Sequence, residues 1–321
     1  MRATEAFLLS HPVFSWSDWK REMGNGRSEK TLRNLLSYYL KRGKLKKVDR
    51  VYCVVPPLTE PSTFVPDRFL VASKLLPDSV LSYHTAFEIL GFANQVFTIT
   101  YYSSLRYKRP FSHQGIRYVC VKLPLSLKLD PFFGVVKVER MGMFVRVTSA
   151  ERTLAECLDR PKYCGGFEEV VRCVSSLPFI DEDLLKAYLK LRGKRVLFAK
   201  VGWVLERLRD RLFVTEGFLQ WLKEMSPKHP VSVCRGFKGE KVFVKGWNLV
   251  VPLPWLAATL HGLQNLLRSD RASAVISEIV EMLYNFNMPQ MKQPDEIEGR
   301  MADEEVEKNK AGEENAPAPS L

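Results

Sequence analysis

Apolar and polar positions recur along the chain with two different periods, and together they predict an α+β protein. Three short N-terminal segments repeat apolar residues at helical spacing, and a basic segment with the period of a strand pair follows them. Val-rich and Tyr-rich runs predict strands over 95–147, and helical periods return over 149–225. Residues 230–285 predict a hairpin and closing helices. A small helical N-terminal part therefore precedes a larger mixed α/β C-terminal region.

The stretch over 27–50 gives the sharpest pattern. Read as a helix that begins after Ser28, it separates leucines and a tyrosine from a polar stripe at about 100° per residue. One face can be buried, and the other carries donors suited to phosphates and base edges. After Gly43, a basic run is typical of two strands joined by a tight turn at Asp49 and Arg50. Helices followed by a basic hairpin predict a winged helix-turn-helix over residues 1–56.

This stretch also has a strong local charge, because nine Lys/Arg face two acids and give +7 over 24 residues. We predict that its third helix enters the major groove and that its hairpin, the wing, contacts the backbone or the minor groove. The predicted DNA-binding residues are Arg27, Lys30, Arg33, Asn34, Ser37 and Lys41 on the helix, and Lys44, Lys46, Lys47 and Arg50 on the wing.

Charge over the whole chain points to the same class of partner. The 321 residues have a formal net charge of +12, although residues 286–321 hold four basic and nine acidic side chains. A basic body of this kind predicts a polyanionic partner, here double-stranded DNA. Two alternatives stay open: a basic surface that only keeps the chain soluble, and a helical lid whose charged face is merely solvated. The basic, aromatic segment SSLRYKRPFSHQ either contacts nucleic acid or forms a solvated hairpin loop.

Composition predicts the domain boundaries. Four prolines between 56 and 66 predict a semi-rigid linker over 57–68, followed by a C-terminal region over 69–285. Residues 286–321 are acidic, lack bulky apolar runs and predict a disordered tail. No apolar run approaches the roughly 20 residues that span a bilayer. The first residues lack the apolar core of a signal peptide. We therefore expect a cytoplasmic location and no membrane partner.

Catalytic and metal-ligating patterns are weak. Six cysteines have spacings unlike any zinc motif, so we interpret them as reduced, mostly buried thiols. His84 has no ligand-type residue at ligand spacing, and a core or helix-start role is favoured. No phosphate loop, metalloprotease motif or nucleophile elbow is present. The prediction is a protein that is not an enzyme, with no cofactor and no metal. A metal-dependent nuclease using Asp78, Lys137 and Glu139 is the enzymatic alternative, although the acid-x-Lys triplet is missing.

Two runs carry a family resemblance. VTSAERTLAECLDRPKYCGGFEEVVRCV, with SYHTAFEILGFANQVF upstream and the basic N-terminal helices, is similar to the AbiEi family, the antitoxins of type IV toxin-antitoxin pairs. The resemblance covers roughly residues 1–280, and T-x-x-E-R-T-L and R-P-x-Y-C-G-G are its most specific parts. Thr148 with Glu151 predicts a capping box, and Arg152 with Glu156 an i, i+4 pair. We therefore expect structural rather than catalytic roles for this run.

The resemblance implies a transcriptional autorepressor that binds inverted repeats in its own promoter. It also implies that the C-terminal region, as an AbiEi-like antitoxin, counters a nucleotidyltransferase-like toxin encoded next door, without a stable complex. The residues themselves leave open a solitary winged-helix regulator, in which residues 60–285 serve as a sensor or dimerisation module.

Overall fold

Two β-sheets share one apolar layer, and helices cover the outer side of each sheet. A computed structural model of the protein describes residues 3–234 and 236–264, and these residues belong to one mixed α/β unit. None of the helices in the described part is both long and apolar enough to cross a membrane. The predicted closing helix over 272–284 and the acidic tail over 286–321 lie outside the described residues.

The elements have the following bounds. The helices are α1 (Ala3–Ser10), α2 (Trp16–Met23), α3 (Glu29–Lys41), α4 (Arg68–Lys74), α5 (His84–Leu90), α6 (Ala150–Asp159), α7 (Phe167–Ser175), α8 (Glu182–Arg192), α9 (Arg195–Arg207), α10 (Arg209–Leu212), α11 (Glu216–Met225) and α12 (Leu253–Gln264). The strands are β1 (Val13–Ser15), β2 (Leu45–Val48), β3 (Val51–Val54), β4 (Val80–Leu81), β5 (Ile99–Ser104), β6 (Phe111–His113), β7 (Ile116–Lys122), β8 (Val135–Arg140), β9 (Met143–Thr148), β10 (Val231–Ser232), β11 (Lys241–Val244) and β12 (Leu249–Pro252).

The first 56 residues, here called the N-terminal module, run α1-β1-α2-α3-β2-β3. Their strands form an antiparallel sheet in the order β1-β3-β2. Ser15 and Asp18 form a capping box at the start of α2, as this spacing of Ser and Asp indicates. The turn between β2 and β3 lies at the predicted place, with Asp49 at φ +52°. Local signals thus account for the three helices and the hairpin of the module, whereas β1 was not predicted.

Both faces of this three-stranded sheet are buried. Because side chains alternate along a strand, Val51 and Cys53 point to one side of β3, and Tyr52 and Val54 to the other. Tyr52 and Val54 join Phe14 in a core under α1, α2 and α3. The opposite face packs on α4 and the larger sheet, in what we call the shared layer. Among its members are Val13, Val48, Val51 and Cys53 from the module, and Phe69, Leu70, Tyr102, Tyr118, Val145 and Val147 from the rest of the chain.

The larger sheet has six strands in the order β6-β7-β5-β4-β9-β8. On β5, Tyr102 belongs to the shared layer and Tyr101 to a core under the C-terminal helices, so this sheet also separates two cores. Its strands β5 and β7 pair in parallel. The segment between them is therefore a crossover that includes β6, and the hairpin-loop reading was wrong. The strands β8 and β9 form a hairpin that turns at Met141 and Gly142.

The C-terminal helices enclose the largest core. Trp203 and Tyr188 are fully buried there. Gly202 on α9 meets the ring of Trp247, because an added Cβ would lie only 2.1 Å from ring atoms. Nearby, β12 pairs in parallel with β10 and antiparallel with β11. The sequence predicts a hairpin between 231–235 and 241–251, but the hairpin forms within the second run, between β11 and β12, and residues 231–232 add a parallel strand.

The residues predicted as a linker, 57–68, are held against both sheets. Lys46 Nζ donates hydrogen bonds to the carbonyl oxygens of Pro61, at 3.0 Å, and Phe64, at 2.7 Å. Asp67 caps α4 and pairs with Arg140 at 2.6 Å. Three buried valines of the module, at about 1.5–3 kcal/mol each, add to this attachment. The module is therefore joined to the rest of the chain by a common core.

Asp18 joins the module to α4 by charge as well, since its carboxylate lies 3.0 Å from Lys74 Nζ. We expect Asp18→Asn to lower the free energy of unfolding by about 1–2 kcal/mol near neutral pH, because it removes this ion pair and weakens the α2 capping box. Burial raises the pKa of Asp18, but hydrogen bonds from Ser15 and Lys74 and the charge of Lys74 together lower it below 3.8.

The expected effect depends on pH. A folded-state pKa below the unfolded value means that the carboxylate stabilises the fold above pH 3.8, and that this contribution disappears as pH falls through the folded pKa. Urea unfolding of wild type and Asp18→Asn across this range measures the difference. A difference that stays constant into the acid range would contradict the assignment.

Candidate nucleic-acid interface

Helix α3 has one buried and one exposed face. It begins after Ser28, whose hydroxyl accepts a hydrogen bond from the backbone N–H of Thr31 at 3.2 Å. Leu32 and Leu36 are buried in the core under the module's helices. Arg27, just before the helix cap, is solvent-exposed, and so is the predicted polar stripe: Lys30, Arg33, Asn34, Ser37 and Lys41. The predicted separation of the two faces is confirmed.

Arg33 is the best-positioned cation of this stripe. Its guanidinium carbon lies 4.5 Å from the ring centroid of Trp16 on α2, and Nη2 lies 3.8 Å from the Glu29 carboxylate. The side chain is still 65% exposed, so its donors remain available. Contacts of this kind reduce the side-chain entropy that binding would cost. These two contacts therefore restrict the Arg33 side chain.

The β2–β3 hairpin, which was predicted to be a wing, presents three exposed basic residues, Lys44, Lys47 and Arg50. The ammonium of Lys47 lies 5.8 Å from the ring centroid of Tyr52 on the neighbouring strand. At the tip, the Asp49 carboxylate lies 2.8 Å from Lys108 Nζ. The wing tip is thus fixed to the segment that follows β5.

Lys46, also predicted as a wing contact, lies elsewhere. Its side chain is only partly exposed, and its ammonium is bonded to carbonyl oxygens of residues 61–64. An ammonium has three donors, and these carbonyls engage them. The structure therefore separates Lys46 from the exposed basic residues of the wing.

A basic cleft of about 730 Å³ opens between the module and the six-stranded sheet. Trp16 and the exposed Phe144, 69% accessible, supply aromatic surface. Because Arg33 lies over Trp16, the cleft adjoins the α3 face. Its lining includes a single acid, Asp18, and six basic residues: Arg21, Arg50, Lys74, Arg106, Lys137 and Arg146.

The six cations of the cleft are not equally available. Arg21 and Lys74 both pair with Asp18. Arg146 donates to the Pro77 carbonyl, and burial lowers its pKa. The remaining three have no ion pair with any acidic residue in the described part of the chain: Arg50, Arg106 and Lys137. These three form a surplus of positive charge on a surface that also offers aromatic rings.

Only part of this cleft was predictable from the sequence. Arg50 was predicted as a wing residue, the segment of Arg106 was a possible nucleic-acid contact, and Lys137 was named for the nuclease alternative alone. The sequence did not indicate that Arg146 lines the cleft. Arg146 lies opposite Lys137 in the β8–β9 pair. The residues come from α2, the wing, α4, β8 and β9, and no local pattern shows that these elements meet. The strand register alone brings Lys137 and Arg146 together.

The other candidate residues have structural surroundings. Asp78 accepts hydrogen bonds from Ser104 Oγ and the backbone N–H of Leu105, both at 2.7 Å, and Glu139 is exposed on β8. Arg152 is fully buried and donates to Glu156 at 2.9 Å, so the predicted pair is confirmed. The α6 cap is Ser149, one residue beyond the predicted Thr148.

Comparison with known proteins gives a likeness in fold. No protein-family model matches the chain, and no curated protein does. The crystal structure of the RV2827C protein from Mycobacterium tuberculosis is similar, with a TM-score of 0.54 and 16% sequence identity. The match covers 82% of this chain and 94% of that chain. At such low identity the likeness concerns the fold alone.

Adjacent lysines of β2 provide a matched test of this geometry. We expect Lys46→Met to lower the free energy of unfolding by about 1 kcal/mol, because it removes hydrogen bonds to residues 61–64. Lys47→Met should change it by less than about 0.5 kcal/mol, since that ammonium is exposed. Urea unfolding of both variants measures the two effects. Equal effects would contradict the placement of Lys46.

Proposed function

We propose that the protein is a DNA-binding transcriptional autorepressor and the antitoxin of a type IV toxin-antitoxin system. On this proposal the N-terminal module is a winged helix-turn-helix that binds double-stranded operator DNA, with inverted repeats in its own promoter as the site. The observation that carries the DNA-binding part is the exposed cationic face of α3, which is followed by a basic hairpin.

The order of elements supports this assignment. In a helix-turn-helix, a second helix follows the first after a short turn and lies in the major groove. Here α2 and α3 are separated by residues 24–28, and the β2–β3 hairpin follows α3 directly. The exposed face of α3 then meets base edges, while the hairpin flanks the groove as the wing.

The side chains of α3 match the chemistry of direct readout. Arg forms bidentate hydrogen bonds with guanine, and Asn forms them with adenine. Arg33 and Asn34 are adjacent and exposed, so they are the residues we assign to base contacts. The others serve phosphates or sugars and set the register on the duplex: Arg27, Lys30, Ser37, Lys41, Lys44, Lys47 and Arg50.

The cleft extends the proposed binding surface. Arg50 belongs both to the wing and to the cleft, and Arg106 and Lys137 continue the positive charge onto the six-stranded sheet. DNA phosphates beyond the part of the duplex that α3 contacts can therefore bind these further cations. This arrangement favours a longer DNA footprint than the module alone would give.

The antitoxin part of the proposal is supported by the resemblance to the AbiEi family. The region from α4 to α12 would counter a nucleotidyltransferase-like toxin without a stable complex. A solitary winged-helix regulator shares the same DNA-binding surface and differs only in lacking this activity. An adjacent gene for a nucleotidyltransferase-type protein favours the antitoxin, and its absence favours the solitary regulator.

The base-contact assignment predicts a loss of affinity in single variants. Arg33→Ala and Asn34→Ala should each weaken binding to the protein's own promoter by about 5-fold to 150-fold, because a good bidentate base contact contributes about 1–3 kcal/mol. Fluorescence anisotropy with a labelled promoter duplex measures the change. Each variant should also relax sequence preference at one base pair.

Arg195→Ala is a matched control, since Arg195 is an exposed arginine at the start of α9, away from the module. It should bind within about twofold of wild type, as expected for a surface change outside the interface. Unchanged affinity and sequence preference in both α3 variants would contradict the recognition-helix assignment.

The two activities should separate by substitution. A chain with Arg33→Ala and Asn34→Ala should lose repression but still relieve growth inhibition when co-expressed with the neighbouring toxin. Substitution is preferred to deletion of residues 1–55, because deletion would expose Phe69 and Leu70 of the shared layer. Growth and reporter assays in the same cells measure both activities. Loss of both at normal protein levels would contradict the separation.

A further inference from the structure

A buried cluster of metal-ligating side chains lies between α5 and α7. It comprises His84 at the start of α5, and Glu169 and Cys173 one turn apart on α7. All three are buried, and their ligand atoms lie within 4.8 Å of one another. His84 Nε2 is 3.2 Å from Glu169 Oε1, and Cys173 Sγ is 3.4 Å from the same oxygen. The fold thus supplies the partners that sequence spacing did not show for His84.

Glu169 has more binding capacity than its neighbours use. Its Oε1 accepts hydrogen bonds, including one from the backbone N–H of Gln95 at 3.1 Å. Its Oε2 is buried and has no hydrogen-bond partner among the described residues. A buried carboxylate oxygen without a partner is costly, and native structures contain few of them. The unused oxygen therefore points to a ligand in the cluster.

The spacing of the three ligands agrees with tetrahedral zinc. Zinc binds His nitrogen at about 2.0–2.1 Å, carboxylate oxygen at about 2.0–2.2 Å and thiolate sulfur at about 2.3 Å. Tetrahedral angles then place nitrogen and oxygen about 3.4 Å apart, and oxygen and sulfur about 3.6 Å apart. The observed 3.2 and 3.4 Å, both measured to Glu169 Oε1, are each within about 0.2 Å of these values, and the unpartnered Oε2 belongs to the same carboxylate. Small side-chain shifts would complete the geometry.

A second shell orients the histidine. Nδ1 of His84 lies 3.3 Å from Glu88 Oε1, one turn further along α5. Glu88 is itself held by Arg68, at 2.6 Å, and by the backbone N–H of Phe97, at 2.9 Å. Nδ1 makes no hydrogen bond in this arrangement, but a small shift of the ring would let it donate to Glu88 and leave Nε2 to bind metal. A carboxylate, a histidine and a metal ion in this order form an arrangement that is usual at zinc sites.

An aromatic ring closes one side of the cluster. Gly165 has φ +71°, and a Cβ there would lie 2.5 Å from the ring of Phe97. The Phe97 ring lies over His84, with centroids 4.2 Å apart. Gly165 thus leaves room for the ring that closes the cluster.

We propose that His84 Nε2, the Glu169 carboxylate and the Cys173 thiolate bind one zinc ion, which fastens α5 to α7. An imidazole, a carboxylate and a thiolate are ligands that zinc prefers. Binding requires neutral His84 and releases the thiol proton of Cys173 to solvent. The proposal does not depend on DNA binding or on the antitoxin activity.

The competing state is a metal-free ionic cluster. Burial lowers the pKa of His84, but interactions with Cys173 and Glu88 outweigh this effect and raise the pKa to about 9. In that state a protonated His84 lies between the carboxylates of Glu88 and Glu169. Metal content distinguishes the two states directly.

The test is zinc analysis of the full-length chain, produced without a polyhistidine tag and dialysed against metal-free buffer. Mass spectrometry of the metals should find about one zinc per chain. Cobalt, substituted for zinc, should give the absorption of tetrahedral Co²⁺ and a thiolate-to-cobalt charge-transfer band. Less than about a tenth of an equivalent of zinc, together with no cobalt band, would overturn the proposal in favour of protonated His84.

Variants locate the site. Cys173→Ser and Glu169→Gln should each lower bound zinc at least about tenfold, whereas Cys53→Ser should retain it. Cys53 is a matched control, because it is a fully buried thiol in the shared layer, where burial raises its pKa to about 12. If a variant does not fold, the wild-type protein alone gives the test. A chelator should lower the Tm of the wild-type protein, and added zinc should restore it. Full zinc content in folded Cys173→Ser, or a Tm indifferent to chelation and zinc, would contradict the site.

Discussion

The burial of the shared layer between two sheets is the constraint on which the rest of the structure depends. The two sheets that border this layer must each present apolar side chains on both faces. They do so because successive side chains of a strand point to opposite faces. Val51 and Cys53 enter the shared layer while Tyr52 turns to the helices of the module, and Tyr101 and Tyr102 divide in the same way on β5. A shift of one residue in either sheet would place apolar groups in the wrong core.

This constraint also shapes the proposed DNA-binding surface. The module cannot turn freely on residues 57–68, because its sheet lies on the shared layer and Lys46 binds the carbonyls of residues 61–64. The basic cleft exists only because α2 and the wing are held beside β8 and β9. Buried apolar contacts therefore fix the position of exposed cations, and the weak surface ion pairs only refine it.

Local elements were predictable from the sequence, whereas contacts between distant segments were not. The cap at Ser28 and the two faces of α3 follow from period and side-chain chemistry alone. The cap of α6 lies one residue further than predicted, because the Thr148 hydroxyl bonds that of Thr153 and leaves Ser149 to cap. In the sequence, Lys46 could not be distinguished from the other basic residues of the predicted wing, and His84 had no ligand-type residue at ligand spacing. In both cases the deciding partners come from other elements, and sequence spacing cannot show them.

Specific DNA binding by α3 and the β2–β3 hairpin is the proposal on which the others depend. Its most direct test compares affinity for the promoter duplex with affinity for a shuffled duplex of equal length as salt is raised. We expect at least about 10³-fold preference for the promoter. We also expect log K to fall linearly with log salt, by about 0.9 per phosphate contact. Equal affinity for both duplexes, or affinity that does not respond to salt, would contradict this proposal.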